Sequence, residues 1–196
     1  MVLGQLDSFN WFSMDNVIKF ILIIILVILT IVATSFGVAN IAFKQAEVRV
    51  KSWQAIGYIG NAQDYRQALR YADDALFYHP GHNQYLEIKA QILEWGADDN
   101  MVDRQTALQH AKQLYLQSTS TRPTWPATWA ALAMLKWRMQ EFDSQMVSFL
   151  QNAYAMGRNS PEVKLAFQQL GPVLRDYHPQ LFAPLEPQYD DLLKIK

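Results

Sequence analysis

The chain contains no cysteine, which excludes disulfides, thiolate catalysis and cysteine-ligated zinc or iron–sulfur sites. Its eight glycines are scattered, and none belongs to a phosphate-cradling loop. No basic run occurs. Of 17 Lys and Arg only Lys19 precedes Phe43, and of 18 Asp and Glu only Asp7 and Asp15 do, so the remainder is charge-balanced. That argues against nucleic acid as a partner, because a phosphate backbone needs clustered cations. A Ser-His-Asp arrangement also lacks support, since no nucleophile elbow is present and His110 and His178 lie in unrelated helical patterns. His79 and His82 flank Pro80-Gly81 with no third ligand at metal spacing, so they read as a turn. Asp98, Asp99, Asn100 and Asp103 lack the alternation and glycine of a calcium loop and read as a solvated loop. Asp73 and Asp74 read as a solvent-facing pair. The expectation is a protein without catalytic residues, metal or cofactor.

Apolar side chains, in contrast, are plentiful. With 51% hydrophobic and 13% aromatic residues in 196, the chain has enough to bury one sizeable core. Residues 1–15 show no periodicity and read as an N-terminal tail, with Met14 as an alternative start. Phe20 to Phe43 is a run of 24 residues without a charge. At ~1.5 Å per residue it spans about 36 Å against a hydrocarbon core of ~30 Å, so residues 16–46 are expected to form a single transmembrane anchor helix. A cleaved signal peptide would have a shorter apolar core, and Ala33-Thr34-Ser35 is a poor cleavage site. Lys44, Arg49 and Lys51 outnumber Lys19 across the span, which favours a cytoplasmic C-terminal domain. A start at Met14 instead reads as a signal anchor with the domain outside.

Beyond the anchor, residues 47–177 carry helical patterns in pairs. Lys44 to Ile59 stays helical, with Trp53, Ile56 and Ile59 as first packed turns and Gly57 and Gly60 closing it. Asp64 is expected to cap an alanine-rich helix in which Ala68, Ala72 and Ala75 share a face and Pro80 marks the stop. Asn83 is expected to cap the next helix, through Leu86, Ile88, Ala90, Ile92 and Leu93. Ala107, Ala111 and Leu114 repeat the small-residue face, and their stop comes late, at Pro123. Pro126 then suits a first helical turn, with Thr124 before it as a capping candidate. Trp129, Leu132, Ala133 and Lys136 fall on one helical face, and a tight turn at Gln140-Glu141 leads to a second helix carrying Phe142, Val147, Phe149, Leu150 and Ala153. Gly157 is expected to end it as a left-handed cap. Gly171-Pro172 is expected to kink or end a helix that starts at Ser160-Pro161. Residues 178–196 read as an extended wrap with a final turn or two that caps the stack.

Such short helices are marginal alone and need stacked neighbours. The alanine spacing that ends in proline, and Trp129-Leu132-Ala133 followed by Phe142, resemble the two halves of a tetratricopeptide (TPR) unit. The intervals from Pro80 to Pro123 to Pro161 exceed the usual repeat length, so the units are irregular. The fold expected is all-α: one N-terminal transmembrane helix, then a TPR-like α-solenoid of about three irregular helical hairpins plus a capping helix.

The run RPTWPATWAALAMLK from Arg122, then EFD and FLQNAYAMG to Gly157, resembles VpsP-type proteins, small membrane-anchored helical-repeat proteins of bacterial exopolysaccharide clusters. Similar runs occur in the TPR tails of some polysaccharide polymerases and ligases. The resemblance implies a non-catalytic scaffold in polysaccharide assembly or export at the bacterial inner membrane, with its domain in the periplasm, where the charge count favours the cytoplasm. An alternative is a membrane-tethered TPR chaperone for a secreted or maturing protein, such as a cytochrome-assembly factor. A third is a glycan-acting enzyme, which requires a further buried acid some ~5–10 Å from Glu87 and Glu94.

Stacked hairpins place their first helices along a concave side. The candidate groove therefore comprises Trp53, then Glu87, Gln91, Glu94 and Trp95, then Met134, Trp137 and Arg138. Tryptophans beside charged and amide groups suit a peptide segment of a partner protein more than sugar rings.

Overall fold

The protein, as a computed structural model, is described over residues 14–194, so the tail expected at 1–15 falls almost wholly outside the described residues. Helices follow in the order α1 (Met14–Ile56), α2 (Ala62–Tyr78), α3 (Asn83–Asp98), α4 (Arg104–Thr121), α5 (Pro126–Arg138), α6 (Ser144–Gly157) and α7 (Pro161–Tyr177). Short α8 (Pro179–Phe182), a 3-10 turn (Ala183–Leu185) and α9 (Glu186–Lys194) complete the chain. Among the described residues there is no strand. Helix α1 packs on α2, α3 on α4 and α5 on α6, and α2–α3 and α4–α5 contacts join the successive pairs, while α7 packs on α5. The C-terminal segment is helical, where an extended wrap is expected; Phe182, Leu185 and Leu192 are apolar at spacings that one helical face can bury against α7 and α6.

Helix α1 is continuous through the boundary expected at 46/47. Its N-terminal part, about 18 residues with a mean hydropathy of 3.0, buries nothing against the rest of the chain. From Ala39 onward the same helix turns a buried stripe inward: Ala39, Ala42, Phe43, Ala46, Val50 and Trp53, at helical offsets of three and four. This stripe meets Ala68, Ala72 and Ala75 of α2, and alanine on both faces lets two backbones approach closely. The last turns of the uncharged run thus belong to the packed domain. The exposed part and the packed stripe belong to one continuous helix, which Gly37, its single glycine, does not break.

Two clusters fill the interior. One joins α1, α2 and α3 through Trp53, Tyr65, Tyr85 and Ile92; the other runs from α3 to α9 through Leu108, Leu132, Leu150, Phe167 and Leu170. Leu69 and Leu76 of α2 touch both and make the interior continuous. Within α5, Leu132 and Ala133 are fully buried, and Lys136 lies beside them at 2% exposure. Its Nζ donates to Glu141 at 2.7 Å and to Asp143 at 2.5 Å, which closes the α5–α6 turn. Burial pulls the Lys136 pKa down, but the hydrogen bonds to Asp143 and Glu141 outweigh it and hold the ammonium above its usual range.

Several local expectations are corrected. Asn61, not Asp64, caps α2, its side chain accepting from the Asp64 N–H at 2.9 Å. His82 precedes α3, and Asn83 instead donates to the Thr121 hydroxyl at 2.8 Å, which ties α3 to the end of α4. Trp125 holds the N-cap position of α5 without a side-chain cap, and Thr124 does not fill it; Pro126 stands in the first turn as expected. Phe142 lies before α6 and stacks on His178 with ring centroids 4.3 Å apart. Gly157 remains helical at the end of α6. It is needed for contact, since a Cβ there would meet Pro126 Cγ at 2.6 Å. Gly171-Pro172 neither ends nor splits α7; the missing Cβ at Gly171 makes room for the Tyr189 ring, which a Cβ would meet at 2.0 Å. Trp129, on the same predicted face as the fully buried Leu132 and Ala133, is only half-buried. Its ring faces Phe149 at 5.9 Å and its Nε1 donates to Pro123 O at 2.6 Å.

The run that carries the resemblance is thereby explained as a joint. Arg122 lies over the Trp125 ring at 4.3 Å and reaches Glu87 of α3 at 2.9 Å, Pro123 receives Trp129, and Pro126 seats against Gly157. These contacts order the connection from α4 into α5, and the Thr128 hydroxyl, which donates to Glu87 at 2.6 Å, ties α5 across to α3.

Candidate functional site

The side chains that face solvent from α1, α3, α5 and α7 border a continuous concavity. A recess of about 220 Å³ lies between α1 and α3, lined by Glu47, Lys51 and Gln54 facing Gln84 and Gln91. It shares Gln54, Glu87 and Gln91 with a larger recess of about 420 Å³ that continues over α5 to Leu165 of α7. Helical offsets produce this arrangement: 87, 91 and 94 recur on one face of α3, and 127, 130, 131, 134 and 138 on one face of α5. The floor on α5 is made of Ala127, Ala130, Ala131 and Met134, which leaves little side chain between a ligand and the helix surface.

Five of the eight expected groove residues meet here, namely Glu87, Gln91, Glu94, Met134 and Arg138. The three tryptophans do not. Trp53 is 1% exposed on the opposite side of α1, where its Nε1 donates to Asp64 at 2.7 Å. Trp95 is half-buried and its ring faces Trp53 at 6.4 Å. Trp137 is half-buried and packs on the interior beside α5. The physical reason is area: a ring that can be covered by a neighbouring helix is driven inward, and the small residues are left to line the concave face. The groove is therefore an amide-and-alanine surface rather than an aromatic one. Gln54, Ala127, Ala131 and Leu165 are residues of this surface that the sequence pattern did not single out. The alanines share a face of α5 at an offset of four, and that spacing alone reads as core.

Its charges are held from within the fold. Glu87 accepts from the Thr128 hydroxyl at 2.6 Å, the Ser118 hydroxyl at 2.7 Å and Arg122 at 2.9 Å. Glu94 is 8% exposed; it accepts from the Tyr115 hydroxyl at 2.6 Å and faces Arg138 Nε at 3.4 Å. Burial raises the Glu94 carboxyl above its usual range, with the nearby Arg138 charge and the Tyr115 hydrogen bond opposing. Burial and the Glu94 charge push the Tyr115 phenol well above its ordinary value. Arg138 also pairs with Asp98, which in turn binds Arg104 at 2.9 Å. The acidic segment expected to be a solvated loop is thus structural: Asp98 binds two arginines, Asp99 accepts from the Ile59 N–H, and Asp103 caps α4 by accepting from Thr106 N at 2.9 Å. Glu162, a further acid bordering the groove on α7, is exposed and accepts from the Ser160 hydroxyl.

His79 and His82 sit in a turn with ring centroids 4.9 Å apart, packed at tilted angles against Phe36 and Tyr85. Among the described residues no group of three His, Asp or Glu side chains is placed to hold a metal ion.

No protein-family model matches the chain, and no curated protein matches it.

Proposed function

We propose that the protein is a membrane-anchored adaptor with a TPR-like solenoid, whose concave groove holds an extended peptide segment of a partner protein. The observation that carries this reading is the continuous groove bordered by α1, α3, α5 and α7, the first helix of each pair and the helix that follows them. An extended peptide needs partners for its backbone amides, and Gln54 and Gln91 offer donors and acceptors beside the close approach allowed by Ala127 and Ala131. Leu165, half-exposed at the far end, offers an apolar contact. The carboxylates of Glu87 and Glu94 are engaged by neighbouring helices, so they shape the groove more than they offer charge to it.

The anchor reading rests on the exposed apolar part of α1. Its hydroxyls are internally satisfied, as a helix in hydrocarbon requires: Thr30 donates to Leu26 O at 2.8 Å, Thr34 to Thr30 O at 2.8 Å and Ser35 to Ile31 O at 2.9 Å. The process served is, by the resemblance of Arg122–Gly157 to VpsP-type proteins, assembly or export of a bacterial exopolysaccharide at the inner membrane.

Three outcomes test this. The full chain is expected to remain with membranes after alkaline carbonate washing, and release in a soluble form ends the anchor reading. Leu165→Lys and Gln91→Ala, both away from the interior, are expected to shift stability by no more than ~0.5 kcal/mol. If they meet a central contact of a bound segment, each weakens partner capture by about 30-fold, the size of a ~2 kcal/mol hot spot. In-cell crosslinking from position 91 is expected to reach proteins of the polysaccharide machinery and polymer output to fall with the variants. Crosslinks to a secretion or cytochrome-maturation partner, with normal polymer output, move the protein to the tethered-chaperone reading.

A further inference from the structure

The corner between α2 and α3 lies beside the last turns of the apolar part of α1. The rings of Phe36 and His79 have centroids 4.6 Å apart, His79 stands 4.9 Å from His82, and Tyr78 borders a shallow recess with Val38, Ile41 and Ala42. These contacts fix the height of the corner along α1. If α1 spans a bilayer, the first flanking charges are Lys19 and Lys44, 25 residues apart and so about 37 Å along the helix. A hydrocarbon core of ~30 Å centred between them ends near Ile41 or Ala42 on the domain side. Phe36 and Val38 are then inside the apolar layer, and whatever touches them lies at its edge.

The corner is built for that position. From Ala75 to Leu86 the sequence ALFYHPGHNQYL contains no Asp, Glu, Lys or Arg, and the charge that borders the recess is Asp74, one turn back along α2 from Tyr78. Phe77 is 77% exposed and Tyr78 is substantially exposed, and their rings meet edge-on at 5.2 Å. Two adjacent exposed aromatics at a helix end are unfavourable in water but suit the headgroup level, where amphipathic rings concentrate. The outward face of α1 at the same height, Ile41, is itself exposed and apolar, so the aromatic corner and the span form one surface. Burial, with His79 alongside, lowers the His82 pKa and favours a neutral ring there.

We propose that the α2–α3 corner, led by Phe77 and Tyr78, inserts into the headgroup layer of the bilayer as a second membrane contact. With α1 it fixes the tilt of the helical domain, so that the α1–α3 end of the groove lies against the membrane surface. This rests on the reading of α1 as a span.

The chain has no cysteine, so single cysteines report one site each. The full-length protein, carrying Phe77→Cys, Tyr78→Cys, Ile28→Cys or Ser148→Cys with an environment-sensitive fluorophore, is placed in nanodiscs of phosphatidylethanolamine and phosphatidylglycerol. Nitroxide lipids quench either near the headgroup or near the chain end. Labels at 77 and 78 are expected to lose more fluorescence to the shallow nitroxide than to the deep one. The label at 28 shows the reverse order, and the label at 148 responds to neither. Using both 77 and 78 leaves one native aromatic in place in each variant. Quenching at 28 with none at 77 or 78 overturns the second contact and leaves the anchor standing. No quenching at 28 ends the span and the contact with it. Energy transfer between labels at 77 in one disc, without lipid quenching, assigns the corner to a second copy of the chain and also overturns the proposal.

Discussion

Trp53→Ala is expected to cost the domain about 3–5 kcal/mol, the usual range for truncating a fully buried tryptophan. The indole is 1% exposed between α1 and its neighbours, faces Trp95, and donates from Nε1 to one carboxylate oxygen of Asp64 at 2.7 Å. The other oxygen accepts from Arg49 Nε at 3.1 Å. Truncation therefore leaves a large void and takes a hydrogen bond from a carboxylate that joins α1 to α2. Against a total of roughly 5–15 kcal/mol the loss is a large fraction. About 3 kcal/mol corresponds to a drop of ~6–12 °C for a domain of this size. Because Trp53 stands on the same continuous helix as the exposed apolar run, the variant is also expected to loosen α1 from the rest of the domain, read as faster proteolysis near Gly57–Asn61. Trp129→Ala, where the ring is half-buried, is expected to cost less. A thermal melt in which the two variants fall equally, or in which Trp53→Ala melts with the parent, shows that α1 is not seated through Trp53.

Tyr115→Phe is expected to cost about 1.5–3 kcal/mol at neutral pH, the range for a hydrogen bond to a buried charged group. The hydroxyl donates to Glu94 at 2.6 Å, and its removal leaves that buried carboxylate facing Arg138 alone. The pH dependence follows from the direction of the Glu94 shift. Its folded pKa lies above the ordinary carboxylate value, so ionised Glu94 weighs against the folded state above the unfolded pKa. As pH falls through the folded value toward the unfolded one, that penalty is relieved. The defect of Tyr115→Phe is thus expected to shrink in mild acid, and Glu94→Gln, which removes the charge and keeps an acceptor for Tyr115, is expected to melt at or above the parent at neutral pH. Melts recorded at neutral and mildly acidic pH decide this; a Tyr115→Phe defect that grows in acid contradicts the assignment. Glu94→Ala is no clean probe of the groove, because it strands the buried Tyr115 hydroxyl.

Periodicity and one uncharged run determined a great deal by themselves. An alanine at each of 68, 72 and 75 can only face a close neighbour if the segment is helical, and all three are fully buried. The helix order is legible because glycine or proline marks the breaks at 57–60, 80–81 and 123, because helical periodicity resumes after each break, and because the 24-residue uncharged run is long enough for one continuous apolar helix. On the concave face, offsets on α3 and α5 sufficed to place Glu87, Gln91, Glu94, Met134 and Arg138 together.

What only the tertiary structure decided is which side of an amphipathic helix wins burial when several apolar faces compete. Trp53, Trp95 and Trp137 are each at helical spacing, and no pattern within one helix distinguishes a ring under a neighbour from a ring over a groove. Gly157 and Gly171 read as helix breakers because glycine is poor in a helix, yet the proximity of Pro126 and Tyr189 gives each a packing reason that lies far away in sequence. Asp98, Asp99 and Asp103 likewise read as solvated because their partners, Arg138, Ile59 and Thr106, become neighbours only when the hairpins close. The end of the apolar run is the same case. Sequence measures its length, and the packing of Ala39 and Phe43 on the domain decides how much of that length is left for a membrane.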